Sequence, residues 1–278
     1  MRSYKHLIFS SFILKIIAMA AVLSDHIAFA FIAPSNPLYT IMRILGRLAF
    51  ILFAFFLTEG IIYSRNKDAY LLRLFALYAL LQVIIMVGYF FDKSLTFSNI
   101  FATLFSAGAA LTYFEKKEWK KVYYLIPLAA LMVVNYLFVV QNVTALEIFT
   151  GDYLFYGIAV IFGFYLARKV GVFLLAKYPR VVTDENEEIN EEARLGAQVV
   201  LNAASSVSLL IITFIWYILG VFRMADLDMS LQSWALLTLP FLMLYNGKLG
   251  YNAKGFRIAY YLFFPVHLLL IALLTLLI

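Results

Sequence analysis

Cysteine is absent from the 278 residues, which excludes disulfides, a thiolate nucleophile and thiolate-bound metal at once. Charge is scarce as well: acidic and basic side chains make up 14% of the chain against 64% hydrophobic residues, and the mean hydropathy is +0.91. So little charge cannot cover the surface of a water-soluble globule. The sequence also lacks internal repeats, low-complexity tracts and a glycine-rich phosphate loop. The short alternating segments of a membrane β-barrel are missing too, so the backbone polar groups must be satisfied within helices. The expected fold class is all-α, a polytopic integral membrane bundle of about nine transmembrane helices.

What is present is a series of long apolar runs. The expected spans are Leu7–Ile32, Leu38–Tyr63, Tyr70–Phe91, Ser98–Phe114, Val122–Val140, Ile148–Leu166, Val199–Phe222, Leu231–Tyr245 and Phe256–Ile278. They form one transmembrane domain over residues 1–278, with an acidic connector at 178–196 that is too charged to enter a bilayer. The first run is too long for a cleaved signal and is expected to be retained as a span. The formal net charge of +6 does not point to nucleic acid, because its distribution follows topology. Alternate loops carry Arg65, Lys67 and Arg73; Lys116, Lys117, Lys120 and Lys121; Arg168, Lys169, Lys177, Arg180 and Arg194; then Lys248, Lys254 and Arg257. The other side holds only Lys93 and Arg223, which places the N-terminus inside and the C-terminus outside.

Ionisable residues within spans are costly and usually functional. Asp25 and His26 lie towards the outer end of the first span, Arg43 at a similar depth on the second, and Arg47 one turn deeper on the same face. His267, two residues after Pro265, is expected at the level of Arg47, midway through the last span. Lys15 precedes His26 by eleven residues, nearly three turns, so it shares that face about 16 Å deeper, where Glu59 could be its counter-ion. This polar column suits acyl transfer: a neutral imidazole is a competent base, and arginines stabilise a developing oxyanion. Asp25 is not expected to orient His26, because neighbouring helical residues point about 100° apart; it could pair with Arg43 or contact substrate. No metal is expected, since the histidines and carboxylates show no ligand spacing. A structural reading of the arginines, as neutralisers of Asp25 and Glu59, stands beside the functional one.

Several blocks carry a resemblance: Leu14-Lys15 with Asp25-His26-Ile27, Arg43-Ile44-Leu45-Gly46-Arg47, Phe55-Phe56-Leu57-Thr58-Glu59-Gly60, Gly151-Asp152-Tyr153, Tyr245-Asn246-Gly247-Lys248 and Phe264-Pro265-Val266-His267. In this order they resemble the TraX family of bacterial membrane proteins. That resemblance implies N-acetylation of the conjugative-pilin type and kinship with membrane acyltransferases that use cytoplasmic coenzyme A. Those relatives carry a basic residue eleven positions before a histidine on the first helix, a spacing that Lys15 and His26 reproduce with lysine in place of the usual arginine.

The resulting expectation is a bacterial inner-membrane acyltransferase with acetyl-coenzyme A as co-substrate. Its acceptor would be a protein N-terminus, such as that of a pilin-like protein, or a surface glycan or lipid. His26, Asp25 and His267 are the catalytic candidates, and Lys15, Arg43, Arg47, Glu59, Asn246 and Lys248 the candidates for binding. A solute or proton-coupled transporter using the same column, and a non-catalytic assembly factor for a surface structure, remain the alternatives.

Overall fold

The computed structural model describes residues 6–91, 93, 97–116, 119–176, 187–222, 224 and 227–277. Lys117, Lys177, Arg180, Arg223 and the first part of the acidic connector lie outside the described residues. The helices are α1 (Ser11–Phe31), α2 (Pro37–Tyr63), α3 (Lys67–Phe91), α4 (Ile100–Lys116), α5 (Ile126–Val139), α6 (Leu154–Ala176), α7 (Glu187–Val221), α8 (Met229–Gln232), α9 (Leu239–Met243) and α10 (Lys254–Leu277). Short 3₁₀ segments occupy Trp119–Leu125, Thr144–Phe149 and Ser233–Thr238. Among the described residues the only strand-like pairings are two isolated bridges, Phe9 with Tyr245 and Asn99 with Gly151.

Among the described residues seven helical segments are long and apolar enough to cross a membrane, and the protein is a multi-pass helical membrane protein. The remaining two apolar stretches, α4 and the α8–α9 segment, are shorter, yet both reverse the chain. Lys116 at the end of α4 returns to Asp68 at the start of α3, 2.6 Å away, and the residues after α9 return to the start of α1.

The chain forms two compact units. The first comprises Met1–Phe53, Gly163–Ile218 and Met229–Ile278, the second Ala54–Phe162 and Leu219–Asp228. In the first, α1 begins four residues later than its apolar run because residues 9–12 take other partners. Phe9 exchanges backbone bonds with Leu244 and Asn246, and Ser11 and Phe12, whose N–H groups have no partner within the helix, donate to the carbonyls of Lys248 and Leu249 at 2.9 and 3.0 Å. Ser10 caps the next N–H, that of Ile13. The loop is itself braced from α7: Asn202 donates to the carbonyls of Met243 and Tyr245, and Gln198 donates to Asn202. Gly247 turns this loop at φ +71°, where a β-carbon would strike Gln198.

α1 and α10 start at the same end and run parallel. Their seam is aromatic: Phe12 lies 4.7 Å from Phe256, centroid to centroid, and the Lys15 ammonium sits 5.2 Å over Tyr260.

In the second unit, α3, α4 and α5 pack as successive antiparallel neighbours. Their loop ends meet in a buried polar junction. The Gln82 amide donates to the Ile148 carbonyl at 2.7 Å, the Asn99 amide to Gln82, and the Gly151 N–H to the Asn135 side chain. Thr103 donates to the Asp152 carbonyl, and Asp152 accepts from Ser98 and from the Tyr153 N–H. Irregular backbone survives at apolar depth only when enclosed and satisfied in this way. The junction explains why α6 begins at Leu154 instead of Ile148: residues 144–149 form a 3₁₀ turn, and Tyr153 and Leu154 take positive φ of 62° and 44°.

Two further boundaries differ from those expected. α7 starts at Glu187, so the second half of the acidic connector is helix continuous with the seventh span. α6 continues to Ala176, which carries Arg168, expected in a cytoplasmic loop, into a buried helical position.

Candidate functional site

Five of the nine candidate residues converge in the first unit, at a level set by α1 and α10. His26 is the sixteenth residue of α1 and His267 the fourteenth of α10, so helices that start together place both about 20 Å along. Sequence reasoning set His267 deeper than His26 because it counted residues 7–10 as helix. With α1 starting at Ser11 the two histidines are level.

Asp25 is buried and held by two arginines. Arg43 Nη1 donates to Asp25 Oδ2 at 3.0 Å, and Arg47 Nη2 to Asp25 Oδ1 at 2.7 Å. Arg47 also donates from Nε to the Arg43 carbonyl, one turn back on α2, which fixes its fork. Each carboxylate oxygen therefore meets a separate guanidinium, and the cluster keeps a net charge of +1. Its side chains are only 11–20% exposed, so screening by water is weak. The rings of Phe29 and Tyr39 lie 5.6 and 5.9 Å from the Arg43 guanidinium, a wall that favours the cation.

Gly46 is what lets the clamp close. A β-carbon there would overlap Asp25 from its β-carbon to its carboxylate oxygen, so α2 can approach α1 this closely only where a side chain is absent. This is the physical content of the Arg-x-x-Gly-Arg block. Gly46→Ala should lower stability in detergent by about 1–3 kcal/mol, the usual cost of overpacking, and displace Asp25 from both arginines. A thermal melt within a degree of wild type would remove the close-approach argument.

His26 does not bond Asp25. Its Nδ1 lies 2.7 Å from His267 Nε2, and His267 Nδ1 lies 2.8 Å from the Phe263 carbonyl oxygen. The two imidazoles are within 7° of parallel with centroids 5.0 Å apart, so they meet through their nitrogens and not their faces. Phe263 stacks on His267, and Phe264 presents its edge to both rings. His267 is buried at 4% exposure, whereas His26 is only half-buried. Pro265, which cannot donate to the Tyr261 carbonyl, interrupts the α10 ladder beside this pair.

The other candidates lie elsewhere. Lys15 is about 16 Å from His26 along α1, against Tyr260. Glu59 belongs to the second unit. Asn246 and Lys248 sit in the loop that caps the start of α1. The Asn246 side chain accepts the Lys248 N–H, Arg194 donates to the Asn246 carbonyl, and Lys248 Nζ pairs with Glu191 at 2.7 Å. Glu191 precedes the membrane-spanning part of α7, and the Lys248 bond holds its carboxyl below the usual range.

Reasoning from sequence missed Gly46 as a spacer, the Phe263 carbonyl as a histidine partner and the Gln82, Asn99 and Asn135 junction. The junction had a readable signal: neutral amides inside apolar runs need partners as surely as charges do.

What the helices and the embedded cluster define is a class, the multi-pass helical membrane proteins with ionisable groups at apolar depth. Within it the chain belongs to the TraX family, described as TraX protein, whose profile matches residues 10–183. The match includes Asp25, His26, Arg43 and Arg47 and stops short of α10 and His267. Over 66 residues the chain is 46% identical to a protein of Dichelobacter nodosus named probable fimbrial assembly protein FimC, serogroup H1. That stretch is 24% of this chain and 27% of the relative, so the chain spans about a quarter of that relative's length. No solved structure matches.

Proposed function

We infer that the protein is a membrane acyltransferase that moves an acetyl group from acetyl-coenzyme A to an acceptor at the membrane or its outer face. The observation that carries this reading is a half-buried histidine, paired to a second histidine, beside a doubly clamped carboxylate within the apolar helices. His26 takes the proton of an acceptor hydroxyl or amine as that atom attacks the thioester carbonyl. The resulting oxyanion is stabilised by the net positive charge of the Arg43–Arg47–Asp25 cluster. On collapse the carbon–sulfur bond breaks, and the thiolate leaves with the proton that His26 received. The products are the acetylated acceptor and free coenzyme A.

The basic loop at the start of α1, with Asn246, Lys248 and Arg194, suits the phosphates of the donor. Its cations are exposed, so phosphate can displace Glu191. From there an extended thioester arm would have to reach about 20 Å to the histidines. The excess of basic residues on one side supports an inner-membrane protein with that loop in the cytoplasm. The name of the Dichelobacter relative favours a surface-fibre subunit as acceptor over a glycan or lipid.

Calorimetric titration of the purified protein with coenzyme A is the direct test, followed by mass spectrometry of surface molecules with and without the gene. Saturable binding and a mass increase of one acetyl group on a surface molecule are expected. No binding, together with solute uptake into proteoliposomes, would establish a transporter instead.

A further inference from the structure

We propose that His267 is a positioning residue that fixes the tautomer of His26: it holds the His26 proton on Nδ1 and leaves Nε2 as the nitrogen that receives a proton. The argument is a count of donors and acceptors. The Phe263 carbonyl oxygen can only accept, so the bond at 2.8 Å requires the proton on His267 Nδ1. A neutral His267 then carries its lone pair on Nε2. The nitrogen facing it at 2.7 Å, His26 Nδ1, must be the donor. A neutral His26 with its proton on Nδ1 has its lone pair on Nε2.

Geometry and burial assign the roles. The rings meet edge to edge and nearly coplanar, which aligns the Nδ1–H of His26 with the lone pair of His267. Phe263 and Phe264 pack on His267 and limit its rotation, and little of its surface is exposed. His26 is the half-buried member and the one able to touch an acceptor. A backbone carbonyl and a second imidazole thus do what a carboxylate does for histidine in a catalytic triad, while Asp25, the sequence neighbour, is committed to the arginines.

The proton balance closes. When His26 Nε2 takes the acceptor's proton, the imidazolium keeps its Nδ1–H bond to His267. The imidazolium then gives its Nε2 proton to the leaving thiolate, and His26 returns to the neutral form with its proton on Nδ1. The proton taken from the acceptor is matched by the one given to sulfur, and the pair ends as it began.

The catalytic consequence rests on the acyl-transfer reading; the tautomer does not. The chain has three histidines, His6, His26 and His267, so nitrogen-15 labelling of histidine in the full-length protein in lipid nanodiscs yields an assignable spectrum, with His6→Gln identifying the third ring. Near neutral pH both His26 and His267 should carry the proton on Nδ1, with coupling across the N–H···N bond. In His267→Phe the His26 proton should move largely to Nε2, and turnover should fall about 100-fold or more with KM for acetyl-coenzyme A unchanged. His267→Gln keeps an acceptor oxygen near the Nε2 position. It should restore the Nδ1 tautomer and recover most of that loss.

An Nε2–H tautomer for His26 in the wild-type protein, or an unchanged tautomer in folded His267→Phe, would overturn the proposal. Tautomers as expected without detectable acetyl transfer would support the proposal and overturn only the acyltransferase reading.

Discussion

Replacing His26 with glutamine should cut acetyl transfer per folded molecule by about 10²–10⁴-fold, the usual contribution of a positioned acid or base. The fold should survive, because glutamine retains much of the polar volume. Coenzyme A binding should also persist, since the loop that carries Asn246 and Lys248 lies at the far end of α1. Turnover and thermal stability are to be measured on the same detergent-purified sample. A purely structural histidine gives the reverse pattern, a lower melting temperature with activity falling only in step with folded protein. A near-normal rate in His26→Gln would end the base assignment.

Asp25→Asn should be the most destabilising single change at the site, at about 3–5 kcal/mol, because it leaves two buried guanidiniums beside each other without their shared counter-charge. Asparagine keeps one acceptor oxygen, so part of the hydrogen bonding survives while the charge balance does not. The triple variant Asp25→Asn, Arg43→Met, Arg47→Met should regain most of the lost stability, since apolar replacement of a buried ionic cluster is often neutral. It should not regain activity, because the cations are gone from beside the reacting carbonyl. A triple variant that is stable and active would show the cluster to be packing alone. Equal stability of Asp25→Asn and wild type would mean that water screens the arginines far more than their low exposure implies.

Much of this was legible in the sequence because membrane insertion makes charge conspicuous. Asp25, His26, Arg43 and Arg47 stood out as ionisable residues in apolar runs, and helical period put the two arginines on one face. Their convergence on Asp25 follows from that spacing. The level of His267 differs from that expected for a local reason: residues 7–10 are apolar enough to look like helix, but the N–H and C=O of Phe9 and the N–H groups of Ser11 and Phe12 bond the chain after α9. Apolar character alone cannot distinguish a helix start from an extended segment held by a partner more than two hundred residues away. The long reach of α7 back to Glu187 was hidden for the opposite reason, since acidic residues favour the first turns of a helix yet were read as the mark of a loop. The amide junction among Gln82, Asn99 and Asn135 depends on which loops meet, and spacing along one helix carries no information about that.

The histidine pair joins residues 241 positions apart, whereas the clamp on Asp25 joins residues 18 and 22 apart. At a synthesis rate of about 5–20 residues per second, His26 waits roughly 10–50 s for its partner to leave the ribosome, while the arginines arrive within seconds. The site is therefore assembled in two stages during translation: a charge-neutralising hairpin of α1 and α2 first, and the proton-handling half only when α10 has inserted. A chain stalled before α10 would hold its ionic cluster in place and stay chemically silent, so that competence itself reports insertion of α10.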